Sequence, residues 1–109
     1  MTKVYIAGPM SHYAGHNFEA FNVAAYSLAI AGFEVMNPVD INPDASTPWS
    51  ACLKQDLPRL LDCEAVAVLP GWELSRGACL EVHVAKAVGI PTLPINVFLE
   101  GRYARHQNQ

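Results

Sequence analysis

Residues 65–69 read Ala65-Val66-Ala67-Val68-Leu69, five apolar residues in a row with no polar alternation. A strand with one wet face alternates apolar and polar residues. A strand without alternation is covered on both faces, as in a parallel sheet between two layers of helices. Lys3-Val4-Tyr5-Ile6-Ala7 has the same character and is stopped by Gly8-Pro9. Phe33-Glu34-Val35-Met36, closed by Asn37-Pro38, gives another strand, and Pro91-Thr92-Leu93-Pro94-Ile95 a fourth. The prolines of that fourth strand suit a sheet edge, where a missing N–H does least harm.

Helical patterns separate the strands. Phe18, Phe21, Ala25, Leu28 and Ala29 recur at helical spacing, with Asn17 as a candidate cap and Gly32 at the closing position. After a loop over 37–48, Thr47 as cap and Pro48 as first residue start a second helix that runs to about Cys63. Pro58 either kinks this helix or follows a fresh cap at Asp56. Ser75 caps a third helix to about Val88, closed by Gly89. The β-α-β-α-β-α-β order implies an α/β fold: a single-domain, flavodoxin-like or Rossmann-like parallel sheet, order 2-1-3-4, with helices on both faces. A segment after the fourth strand could add a fifth. The domain is expected over residues 1–97, with a polar C-terminal tail over 98–109.

The composition agrees with one folded domain. With 109 residues, 51% hydrophobic and 16% charged, the chain is long enough for one core and too apolar for disorder. A formal charge of −3 argues against a nucleic-acid polymer or an anionic membrane as partner, since both demand a basic surface. No apolar run approaches the roughly 20 residues that a bilayer span requires. The chain opens directly on a strand pattern without a leader-like apolar segment, so a cytoplasmic protein is expected. Cys52, Cys63 and Cys79 are odd in number and lack metal-ligand spacing, which fits reduced, mostly buried thiols.

Open parallel sheets bind ligands beyond the C-terminal strand ends, at the switch in strand order. For order 2-1-3-4 that point lies between the first and third strands, under the loops Gly8–His16 and Pro70–Ser75. Gly8-Pro9-Met10-Ser11 makes a tight turn there, which is not a phosphate-binding loop because it lacks G-x-G-x-x-G or G-K-[ST]. Ser75-Arg76-Gly77 opens the third helix, where free N–H groups and a small residue admit an anion, or where Ser75 is simply a cap. Glu81, four residues after Gly77, shares its helix face and points toward the same mouth; from pattern alone it reads first as a solvated helix carboxylate. Asp56 carries the same two readings. Two carboxylates at one mouth suit chemistry through an oxocarbenium-like state. Trp72 either stacks on a base or covers the core. His12 and His16 are polar loop residues rather than a metal pair, and His83 reads as packing on the third helix.

Three motifs then resemble the signatures of the nucleoside 2-deoxyribosyltransferase-like superfamily: Tyr5-Ile6-Ala7-Gly8-Pro9, Asp56-Leu57, and Ser75-Arg76-Gly77-Ala78-Cys79-Leu80-Glu81. Phe21-Asn22, Asn37-Pro38, Gly8-Pro9-Met10 and Pro70-Gly71-Trp72-Glu73 resemble a small bacterial and phage branch, related to deoxynucleoside 5′-monophosphate N-glycosidases. The resemblance spans about residues 3–95. It implies Glu81 as nucleophile at the anomeric carbon, Asp56 as the carboxylate that holds the sugar and protonates the departing base, and Tyr5 as the hydroxyl orienting Glu81. It also implies Gly8, Pro9, Met10, Ser75, Gly77 and Asn96 around the substrate, Asn96 reaching the site of a neighbouring subunit; Trp72-Glu73 lengthens the loop before Ser75, and Trp72 is a further candidate beside the base.

The implied activity is cleavage of a nucleoside or nucleotide N-glycosidic bond, by hydrolysis or by transfer to a second base. It calls for no cofactor and no metal. The implied partners are a small nucleoside or nucleotide and further copies of the chain, as a homodimer or larger homo-oligomer. Pro9-Met10-Ser11-His12 stands where the monophosphate glycosidases carry a Ser and an Arg for the phosphate. The rival reading is a catalytically silent nucleotide-binding or regulatory module of the same fold.

Overall fold

The computed structural model describes residues 1–103. Four parallel strands, β1 (Lys3–Ala7), β2 (Glu34–Met36), β3 (Ala65–Val68) and β4 (Thr92–Pro94), form one sheet in order β2-β1-β3-β4. β1 pairs with β2 through Val4↔Val35 and with β3 through Tyr5↔Val66, while β4 pairs with β3 alone and takes the edge. Among the described residues five α-helices surround the sheet: α1 (Phe18–Ile30), α2 (Pro38–Ile41), α3 (Trp49–Leu61), α4 (Arg76–Ala87) and α5 (Ile95–Leu99). None of them is long and apolar enough to cross a membrane.

The unbroken apolar strands divide by period two between two cores. Val4 and Ile6 of β1, with Ala65 and Ala67 of β3, face Phe21 and Leu28 of α1 and Phe98 of α5. Tyr5, Ala7, Val66 and Val68 face the other way, toward Leu60 of α3 and Val82 and Ala85 of α4. Tyr5 therefore lies on the α3–α4 side. Gly8 closes β1 because a Cβ there would lie 2.9 Å from Cβ of Leu69, where the chain leaves β3.

Helix ends follow the expected chemistry in part. Gly32 (φ 100) and Gly89 (φ 84) follow the C-caps of α1 and α4, and Ser75 Oγ accepts from the Ala78 N–H at the start of α4. Asn17 does not cap α1. It is left-handed (φ 60), and its Nδ2 donates 2.9 Å to the Pro9 carbonyl, so it ties the β1–α1 loop back on itself. Thr47 does not cap α3 either: Pro48 holds that position, and the helix ends at Leu61. Pro58 lies inside α3 with neither a break nor a new cap at Asp56. It and Lys54, whose carbonyl loses its donor, are both exposed, so water can serve that carbonyl.

Two segments differ from expectation, one read as a loop and one as a possible fifth strand. Pro38–Ile41 forms a single helical turn capped by Asn37, whose Oδ1 accepts from the Val39 N–H. Ile95–Leu99 is a helix and not a further strand, and a boundary at 97/98 would divide it. Phe98 and Tyr103 stack at 4.9 Å between ring centroids and are buried, so this stretch of the expected tail joins the core. The remainder, 104–109, lies outside the described residues.

Candidate active site

A cavity of about 230 Å³ opens beyond the C-terminal ends of the strands. Gly8, Met10 and Ser11 line it from the loop after β1, Phe18 and Phe21 from α1, Asn42 and Asp44 from the segment after β2, and Glu81 from α4. The segment after β2, read from sequence only as a loop, thus supplies a wall. The loop Pro70–Ser75, expected to form one, reaches only a second cavity of about 520 Å³, through Leu74 and Ser75. Ser11, Trp49 and Gly77 line both cavities.

Two carboxyl groups line the first cavity, and a buried hydroxyl stands behind one of them. The Tyr5 hydroxyl donates to Glu81 Oε2, and both side chains are buried. Asp56, also buried, lines the same cavity from α3, and the Asn42 Nδ2 donates 3.0 Å to its Oδ1. Each carboxylate interrupts an apolar helix stripe: Asp56 between Leu53 and Leu60, Glu81 between Ala78 and Ala85. A charged residue at a core position of an amphipathic helix is the sequence signal that could have singled them out.

Burial sets the electrostatics. It pushes Glu81 up to about 8, against the Tyr5 hydrogen bond and with help from the nearby Asp56 charge. It pushes Asp56 up to about 6, opposed by the Asn42 amide. Tyr5 is raised well above its ordinary value by burial, then by Glu81 and Asp56, and stays a proton donor. The arrangement holds one carboxylate and one carboxylic acid near neutral pH, with a hydroxyl fixing the rotamer of Glu81.

The other expected residues separate. Met10, Gly8 and Gly77 line the first cavity; Pro9, Ser75 and Gly77 line the second. Trp72 lines neither and packs against the α3–α4 core. Asn96 is exposed at the start of α5 and lines neither. His83 is exposed on α4, not packed. Of the cysteines only Cys63 is buried, its thiol pushed up to about 11; Cys52 is half-buried, Cys79 exposed, and all three are free. Among the described residues no group of three or more His, Cys, Asp or Glu is placed to hold a metal ion.

Trp49 and Asn42 escaped the sequence reading. The Arg76 guanidinium lies 3.5 Å from the centroid of the Trp49 ring. A Cβ on residue 77 would meet Trp49 Nε1 at 3.1 Å, so Gly77 makes room for the indole. Charge is sorted between the cavities. Among the described residues lining the first are Asp44, Asp56 and Glu81 but no Lys or Arg, whereas Arg76 lines the second; each cavity also has one histidine, His16 in the first and His12 in the second.

A four-stranded parallel sheet in order 2-1-3-4, with helices around it and a cavity at the switch point, defines a flavodoxin-like α/β protein. The same fold is seen in the solved 2-deoxyribosyltransferase of the psychrotolerant bacterium Bacillus psychrosaccharolyticus. That structure is 19% identical, with a TM-score of 0.65, over 84% of this chain and 71% of the other. A family model described as "Domain of unknown function (DUF4406)" matches residues 2–93, and the chain belongs to that family. No curated protein sequence matches it.

Proposed function

We propose that the protein cleaves the N-glycosidic bond of a nucleoside or nucleoside 5′-monophosphate through a glycosyl ester on Glu81. The observation that carries this reading is the buried Tyr5–Glu81 hydrogen bond, with Glu81 and Asp56 lining one cavity. With Glu81 near 8 and Asp56 near 6 the pair's one proton rests mainly on Glu81; in the reactive form it has passed to Asp56, so that ionised Glu81 attacks the anomeric carbon as the bond to the base breaks and Asp56 gives its proton to the departing base. Asp56, now ionised, takes a proton from water or from an incoming base. That nucleophile displaces Glu81 from the sugar and restores the starting state. The likeness to a solved deoxyribosyltransferase and the motifs shared with that superfamily support the assignment. Water as acceptor makes the enzyme a hydrolase and a second base makes it a transferase, according to how well the occupied site excludes water.

A 5′-phosphate would lie in the second cavity, where Arg76 and Ser75 are found, and not among the acidic side chains of the first. Gly8, Pro9, Met10 and Gly77 would border the sugar and its 5′ end. Trp72 and Asn96 would touch substrate only after rearrangement or from a neighbouring subunit. Self-association has support from α1, where Val23, Tyr26 and Ile30 are 58%, 70% and 70% exposed on one face. The free thiols fit a cytoplasmic setting.

Incubation with nucleosides and their 5′-monophosphates, with and without an acceptor base, tests the activity by chromatography of the released base. Base release that depends on Glu81 supports it. If no substrate releases base yet some bind, the chain is a silent nucleotide-binding module.

A further inference from the structure

Asp56 has two oxygens with different surroundings. Oδ1 accepts from the Asn42 amide at 3.0 Å, while Oδ2 has no protein partner among the described residues. We propose that Asn42 is a positioning residue for Asp56, fixing the carboxyl's rotamer and making Oδ2 the oxygen that carries the transferable proton. An N–H donor at Oδ1 draws electron density from that oxygen and leaves it the less basic of the two. This role rests on the glycosidic reading for its purpose, but not for its geometry.

Asn42 is itself held by a chain of amides. Asn22 Oδ1 on α1 accepts from Asn37 Nδ2 at 3.0 Å, and Asn37 Oδ1 caps the α2 turn through the Val39 N–H at 3.1 Å. The Asn42 N–H then closes that turn on the Pro38 carbonyl at 2.9 Å. Asn37 is buried, and its bond from the Val39 N–H is made away from bulk water, where an unpaired amide would be costly. Asn22 and Asn37-Pro38, otherwise without a part in the chemistry, thereby connect α1 to the acid on α3.

The groups facing Asp56 sharpen the effect. Tyr5 approaches from β1, Glu81 from α4 and Cys52 from its own helix, and Asp44 and His16 line the same cavity. Burial drives Asp56 toward its protonated form, and the Asn42 donor is what opposes it. Loss of that donor must raise the Asp56 midpoint, and a carboxylate in its place must raise it further.

The test is a carboxyl-carbon NMR titration of the full chain with isotope-labelled Asp and Glu, comparing wild type, Asn42→Ala and Asn42→Asp. Asn42 is half-buried, and Asn42→Ser provides a second donor-shortened variant should Asn42→Ala not fold. The expected result is an Asp56 midpoint raised by about half a pH unit or more in Asn42→Ala or Asn42→Ser, and by more in Asn42→Asp, with Glu81 moving less. An unchanged Asp56 midpoint, or equal movement of Glu81, overturns the proposal. Because the titration needs no turnover, shifted midpoints without base release would sink the glycosidic reading and leave the role of Asn42 standing.

Discussion

Glu81 and Asp56 share a site that holds one proton readily and two charges poorly. With Asp56 near 6 and Glu81 near 8, the pair carries a single proton between those values. Attack needs one carboxylate and base departure needs one acid, so kcat/KM should be bell-shaped, with limbs near pH 6 and pH 8 that belong to the pair. A rate that climbs steadily past pH 9 would contradict this. Glu81→Gln keeps the Tyr5 bond and removes the attacking charge. Turnover should fall by about 10³-fold or more while substrate binding persists. Tyr5→Phe should cost about 10²-fold at most, since the carboxylate remains but is held loosely. Stability should move the opposite way. The unfolded chain loses the Glu81 proton near 4.5 and the folded chain near 8, so folding weakens as pH rises through that window. Glu81→Gln should therefore raise Tm at pH 8.5 by at least about 4 °C, and thermal melts of the two proteins at pH 5 and pH 8.5 check the sign.

Helix α4 joins the two cavities, since Ser75 stands at its cap and Glu81 nearly two turns further in. Ser75 Oγ accepts from Ala78 and keeps its own proton to donate to a 5′-phosphate. Ser75→Ala should lower stability by about 1 kcal/mol through the lost cap and narrow the affinity gap between monophosphates and nucleosides, measurable by calorimetry. Equal affinity for both in the wild type would remove the phosphate from Ser75. The start of α4 was legible because capping is local: Ser75 and Ala78 are three residues apart. The strands were legible for a similar reason, since Ala65–Val68 and Lys3–Ala7 announce their double burial in composition. What escaped was tertiary. Asn42 meets Asp56 across 14 residues, and Trp49 is fixed by Arg76 and Gly77 on another helix. Asn17 misled because its amide was claimed by the Pro9 carbonyl rather than by its own helix. The final helix was missed because Ile95–Leu99 is as apolar as a strand, and only its packing on Phe33 and Tyr103 decides the matter.

For the whole molecule, one helix is apolar on both sides. Phe21, Ala24 and Leu28 of α1 meet the sheet, while Val23, Tyr26 and Ile30 point outward. An outward apolar stripe on a helix whose inner face is already buried calls for a cover, and a two-fold dimer through this stripe is the simplest one. Light scattering at micromolar concentration should give twice the chain mass of 11.9 kDa, and Tyr26→Glu with Ile30→Glu should return it to one. A wild-type monomer would contradict the dimer and leave the cavity chemistry untouched, because Tyr5, Asp56 and Glu81 all come from one chain. That chemistry has its own direct measurement. A 2-fluorinated nucleoside slows loss of the glycosyl group, so intact-protein mass spectrometry should show one fluorinated sugar added per chain. Peptide mapping should then place it on Glu81, with no addition to Glu81→Gln. Base release without any trapped sugar, or a label on another residue, would contradict Glu81 as the nucleophile.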